Sequence, residues 1–321
     1  MTGRMVTDAG ALDRKRDESE STTTEPGAPT DEPFASLLRR SVRPVDLLAL
    51  LVVPAVLVAG ALLPAETRLE LAFSYTDPTL PTAFKSAFVH VGPDHLLFNL
   101  ATYAFVVPTV YLLSVLAGDR DRFYVAFVSF LVVFPVVLSF LNLAVPRDGV
   151  SLGFSGVNMA FVGYLPVALA GYLRRHFDVT DEYDAASGLF FAGLVLVAVL
   201  VVRMPLTEAV AAVAAVAALV HLRSAAGGLP RSLPALGPAG YAELGAVAVL
   251  LLAGGLVGGF PPDLTAGGAV VNVYVHFLGY ALGFVATYVT FRVAPVVERS
   301  PLVAAVRDLT VAVLPGLTAG S

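Results

Sequence analysis

A serine, three histidines and an asparagine stand at or inside apolar stretches of this chain. Together they are the parts of a nucleophilic hydrolase. Ser155 lies in Gly153-Phe154-Ser155-Gly156, just after the polar run Pro146-Arg147-Asp148-Gly149. A serine at a helix N-terminus has free backbone N–H groups beside it, and neighbouring glycines permit a tight turn and close approach of a substrate backbone. Such a nucleophile carries part of its own oxyanion site. The plainer reading is a serine N-cap in a small-residue packing face. His276 sits within an uncharged stretch from Leu264 to Phe291, with Gly279 and Gly283 on the same helical face. An imidazole at that depth must face the protein interior or a wet cavity, as a general base or as an interhelical hydrogen-bonding group. His95 and Asn99 are four residues apart and share a face, so both can donate hydrogen bonds to a developing oxyanion. His90 precedes that helix, where it would hold the loop in place. A zinc site of His90, His95 and His276 is the metal alternative. It is disfavoured because His90 and His95 do not share a helix face and no carboxylate accompanies them, so the expectation is no metal and no cofactor.

These residues need long apolar elements to position them. A spanning helix takes ~20 residues, and eight segments qualify: Leu47–Ala65, Pro93–Gly118, Phe123–Val145, Gly153–Leu173, Ala185–Val202, Pro205–Leu222, Leu244–Phe260 and Ala269–Phe291. The count drops to six or seven if the fifth and sixth, with Arg203 between them, form a re-entrant hairpin. A ribbon of small residues on segment four, Gly156, Ala160 and Gly163, matches the Gly279-x-x-x-Gly283 pair on segment eight. Close contact between the two would bring His276 within hydrogen-bond reach of Ser155.

Composition supports the class independently of any motif. The chain is 57% hydrophobic and 14% charged over 321 residues, where soluble domains are roughly 45–50% apolar and about 25% charged. This is an all-α polytopic membrane protein. With no cysteine, disulfides and thiolate metal sites are excluded. Residues 1–40 are polar and charged and read as a disordered tail. Residues 41–293 form the transmembrane domain, and 294–321 a second tail whose Leu302–Leu314 stretch suits an interfacial helix. Short loops on one side hold Arg39, Arg40, Arg43, Arg120, Arg122, Arg174, Arg175, Arg223, Arg231, Arg292 and Arg299; the other side holds Arg68, Lys85, Arg147 and Arg203. That bias predicts both termini in the cytoplasm. Segments two, four and eight then run the same way, which brings His95, Asn99, Ser155 and His276 to one depth in the outer leaflet.

In that order and at that depth, His90-x4-His95-Leu-x2-Asn99, Gly153-x-Ser155-Gly156 and His276-x2-Gly279-x3-Gly283 resemble the rhomboid family of intramembrane serine proteases. The resemblance covers about Leu47 to Val293. It implies a rhomboid-like bundle, here a six-helix core plus two extra helices. It also implies a Ser155–His276 dyad without a third acid, and an oxyanion hole from His95, Asn99 and the N–H groups of Ser155 and Phe154. Gly153, Gly156, Gly279, Gly283 and His90 would then be structural. Substrates would be single-pass membrane proteins cut in or beside their spanning segment, with the lipid bilayer as the other partner and no nucleic acid. The chain departs from the family pattern in three ways. Three apolar segments, not one, separate the serine and histidine helices, and which matches the family's fifth helix stays open. No tryptophan is present for the first loop. Met159 stands where bacterial members place a tyrosine, leaving Phe277 or Tyr280 to orient the histidine ring. A client-binding protein without activity and a transporter are the competing readings; the absence of an internal repeat of these motifs weighs against the transporter.

Overall fold

Apolar runs long enough to cross a bilayer must satisfy their backbone internally, and this chain does so as helices throughout. The computed structural model describes residues 33–177, 179, 181–201, 204–227, 239–262, 265–266 and 269–298. In order come α1 (Phe34–Ser41), α2 (Pro44–Ala61), α3 (Ala65–Glu70), β1 (Phe73–Ser74), α4 (Leu80–Lys85), α5 (Pro93–Ala117), α6 (Arg120–Val132), α7 (Phe134–Leu141), β2 (Val150–Ser151), α8 (Ser155–His176), α9 (Glu182–Leu200), α10 (Pro205–Ala226), α11 (Tyr241–Gly259), β3 (Thr265–Ala266), β4 (Ala269–Val270) and α12 (Val273–Glu298). Among the described residues seven helices are long and apolar enough to span. An eighth span arises if α6 and the stretch from α7 to Ala144 are taken together. The expected eight segments are therefore present.

Three boundaries differ from the sequence reading. Phe34–Arg40, assigned to the disordered tail, belongs to α1 and buries Leu37 against the bundle; the rest of that tail, the Leu302–Leu314 stretch and Arg203 lie outside the described residues. The third span is bent by 50° between α6 and α7, where Pro135 lacks an N–H for the helix ladder and its ring crowds the preceding turn. The eighth begins at Val273, because Ala269–Val270 pairs with Thr265–Ala266 as a short antiparallel ribbon.

The centre of the bundle is α8, almost wholly buried between α5, α9, α11 and α12. Its tightest neighbour is α12. A Cβ on Gly279 would collide with the Gly156 carbonyl and come within 3.0 Å of Met159 Cβ. One on Gly283 would meet the Ala160 backbone, and one on Gly163 would meet the carbonyl of Tyr280 and lie 2.9 Å from Phe284 N. The small-residue ribbons of the two helices face each other, as their spacing predicts. On another side, α9 carries Phe190, which stacks on Phe284 at 4.0 Å and accepts a hydrogen bond at its carbonyl from the Tyr280 hydroxyl (3.1 Å). The α10 helix packs chiefly on α9. There Leu222 fills the space over Gly188, and Asp184 accepts from His221 Nδ1 (2.8 Å) and from the Ser224 hydroxyl.

The end of the bundle where α5, α8 and α12 begin is tied by its loops. β1 pairs with β2 antiparallel, with Phe73 opposite Ser151. The Tyr75 hydroxyl accepts from Asn142 Nδ2 (3.0 Å) and Asn272 Nδ2 (3.4 Å), and Arg147 lies over the Tyr75 ring. Asn272 therefore anchors the start of α12 to the end of α7. At the opposite end Asp46 is buried in the first turn of α2. It accepts from Tyr111 (2.5 Å) and Tyr124 (2.6 Å) and pairs with Arg120. A buried carboxylate is tolerable only with such partners.

The α8–α12 contact yields a direct stability test. Gly283→Val is expected to lower the thermal unfolding midpoint in detergent by about 5 °C or more, an overpacking cost of roughly 1–3 kcal/mol. Gly254→Ala, whose Cβ meets nothing within 4 Å, is expected to leave the midpoint within about 2 °C.

Candidate active site

Ser155 opens α8. The first helical hydrogen bond is from Asn158 N to Phe154 O (2.9 Å), so the N–H groups of Ser155, Gly156 and Val157 have no partner within the helix. The turn before it requires glycine. Gly153 has φ +114°, and the His95 ring occupies the place of a side chain, with Cε1 2.5 Å and Nε2 2.8 Å from an ideal Cβ. The Gly153 N–H donates to Ser86 O (2.9 Å), which ties this turn to the loop before α5.

His90 holds the same turn from behind. It is fully buried, its Nε2 accepts from the Phe154 N–H (3.4 Å), and its ring meets His95 edge-on at 5.0 Å. Its carbonyl accepts from Arg68 (2.8 Å), as does that of Val91 (3.3 Å). The loop after α2, which lacks tryptophan, is thus held by Arg68. Burial first, then the nearby His95 and Arg68, pushes the His90 pKa down to about 3, so the ring is a neutral acceptor. The Phe154 N–H, expected in the oxyanion hole, is instead committed to His90.

His276 is buried and faces Ser155 across a cavity of about 200 Å³ that both line together with Asn99, Asn158, Met159 and Gly259. Its Nδ1 lies 2.6 Å from the carbonyl of Gly259, at the end of α11. A carbonyl only accepts, so Nδ1 carries the proton and Nε2 keeps the free lone pair. Phe260 meets the imidazole edge-on at 6.4 Å. Neither sequence candidate for orienting the ring fills that role: Tyr280 is turned toward α9, and the histidine's ring contact is Phe260. Ser155 is half-buried, and its hydroxyl has no hydrogen-bond partner among the described residues. Ser155 and His276 share this cavity without a direct hydrogen bond between them.

Asn99 is fully buried and lines the cavity, whereas His95 lies beside Gly153 outside its lining, with Nδ1 buried and unpartnered. The rest of the lining is largely apolar and comes from α5 (Phe98, Phe105, and Thr102, whose hydroxyl donates to Phe98 O at 2.9 Å) and from the glycine face of α11 (Gly254, Gly255, Gly258). The site therefore lies between α5 and α11. Among the described residues no three His, Asp, Glu or Cys side chains converge as a metal site. His221 and His176 stand apart from the cavity: His221 clasps Asp184, and His176 Nε2 donates to Leu116 O (3.1 Å).

Two participants escaped the sequence reading. The Gly259 carbonyl has no side-chain signal at all. Asn158 did have one: a strongly polar amide one turn beyond Ser155 in a buried apolar helix.

The depressed His90 pKa has a defined consequence for stability. The unfolded imidazole titrates near 6.5 and the folded one near 3, so between those values the unfolded state binds the extra proton. Stability is then lost as pH falls from about 6.5 toward 3. His90→Gln keeps an acceptor but does not titrate. Its unfolding midpoint is expected to fall less steeply than wild type over that range in thermal scans at stepped pH; parallel curves would contradict the assignment.

No family model, no curated protein and no solved structure matches the chain, and the chemistry of the site rests on its own residues.

Proposed function

We propose that this protein is a rhomboid-like intramembrane serine endopeptidase. Ser155 is its nucleophile and His276 its general base. The observation that carries this reading is a serine at an unpaired helix N-terminus sharing one cavity with a histidine whose tautomer is fixed by a backbone carbonyl. His276 Nε2 takes the hydroxyl proton as Ser155 attacks a substrate carbonyl, then returns it to the leaving amine. The oxyanion formed in that step is met by the Ser155 N–H and by Asn99, with His95 behind the turn. Water attacks the acyl-enzyme in the second half of the reaction, activated by the same imidazole.

The apolar cavity between α5 and α11 fits an extended stretch of a single-pass membrane protein entering from the bilayer. In this reading α11 takes the place of the family's single helix between serine and histidine, since it supplies both the Gly259 carbonyl and the glycine face. The α9–α10 pair is then the addition. The protein sits in the cell membrane with both termini cytoplasmic, as the arginine distribution implies. A second reading, a client-binding protein without protease activity, draws on the missing Ser155–His276 hydrogen bond.

The decisive assay is cleavage of a single-span reporter by the purified protein in proteoliposomes. Ser155→Ala and His276→Ala are each expected to reduce cleavage by about 1000-fold or more; cleavage that survives Ser155→Ala would refute the proposal. The cavity also predicts selectivity. Gly254 lines it with open space at its Cβ, so Gly254→Leu fills volume without forcing the helices apart. It is expected to lower cleavage of reporters with a large apolar residue beside the scissile bond by about 10-fold or more relative to alanine reporters. An unchanged ratio would mean that side chains bind elsewhere.

A further inference from the structure

Asn158 is 2% exposed, one turn beyond Ser155, in a helix with no other amide or charged side chain between Gly156 and Tyr172. Its Nδ2 donates both to the Asn99 backbone carbonyl (3.0 Å) and to Asn99 Oδ1 (3.1 Å). Both partners are oxygens, so the amide has one allowed orientation; the flipped form would set three oxygens against one another. Asn99 is thereby fixed in turn. Its Oδ1 is taken by Asn158, and one N–H of its Nδ2 donates to the His95 carbonyl (2.9 Å). One N–H of Asn99 is left without an acceptor among the described residues, on a side chain that lines the cavity with Ser155.

The arrangement has a cost. Asn158 Oδ1 is buried without a partner among the described residues, which is unfavourable because its hydration is lost and not replaced. A residue needed only for packing would carry no such cost, because an apolar side chain would fill the same space between α5 and α8.

We infer that Asn158 is a positioning residue that locks the Asn99 amide so that its remaining N–H is held ready for the oxyanion on the Ser155 side of the cavity. This rests on the protease reading above. Asn158 touches Asn99 and acts through it, without touching the reacting atoms.

The test uses the full-length protein and kinetics on the single-span reporter. Asn158→Leu conserves volume, and Asn158→Ala removes the donor without adding bulk. Each is expected to lower kcat by about 10-fold or more with KM within twofold, because the oxyanion exists only in the transition state. A packing defect would instead lower the unfolding midpoint and spread the loss over kcat and KM. The Asn99→Ala/Asn158→Leu double variant is expected to be no slower than Asn99→Ala alone within twofold, since both act through one N–H. Should Asn158→Leu fail to fold, Asn158→Ala carries the same expectations. Ser155-dependent cleavage with unchanged kcat in these variants, or with losses that multiply in the double variant, overturns the role of Asn158 and leaves the protease reading intact. Absence of Ser155-dependent cleavage in the wild type overturns both.

Discussion

The architecture depends on two helices touching through their backbones. Lipid tails are as apolar as leucine, so helices gain no hydrophobic energy by meeting inside a bilayer and must associate through close packing and hydrogen bonds. At Gly156, Ala160 and Gly163 on α8, and Gly279 and Gly283 on α12, side chains are absent or nearly so, and backbone atoms lie where a Cβ would go. This contact sets the separation of Ser155 from His276. It also makes α8 the axis around which α5, α9 and α11 are arranged. A single methyl group at Gly279 or Gly283 would act on the dyad without touching either of its members.

Around that contact, polar groups are spent sparingly and each has a task. At the site end Arg68, His90, Tyr75, Asn142 and Asn272 tie the loops to the starts of α5, α8 and α12. At the other end Asp46 binds Tyr111, Tyr124 and Arg120, while Arg122 bridges Asp119 (3.3 Å) and Glu182 (3.8 Å). Within the bundle, buried hydroxyls bond backbone carbonyls, as Tyr103 does with Leu50 (2.8 Å) and Tyr280 with Phe190 (3.1 Å). The cavity gathers more polar groups: Ser155, Asn99, Thr102, Asn158 and His276 bring five polar side chains into one small, otherwise apolar space. That concentration is costly at membrane depth, and the protease proposal places the chemistry there.

Much of this was readable from the residues alone. The eight apolar segments were legible because burial in lipid demands ~20-residue runs, and the α8–α12 contact because small residues at helical spacing have few other uses. The bend at Pro135 was written in the chain, yet hydropathy averages over it. What stayed hidden depended on tertiary placement. A carbonyl such as Gly259 has no residue-type signal, and Phe260 reaches His276 only through the fold of the ribbon between α11 and α12. Phe154 lost its N–H to His90 because the turn at Gly153 brings residues 64 positions apart together. Asn158 was visible as a polar amide, but its meaning lies in its partner on α5.

The central claim is that His276 activates Ser155, and covalent labelling reads it most directly. The purified protein is treated with a fluorophosphonate, which reacts with activated serines, and the adduct is located by peptide mass spectrometry. The account predicts an adduct on Ser155 in the wild type and its loss in His276→Ala. Absence of the adduct in the folded wild type, or equal labelling in His276→Ala, would contradict it.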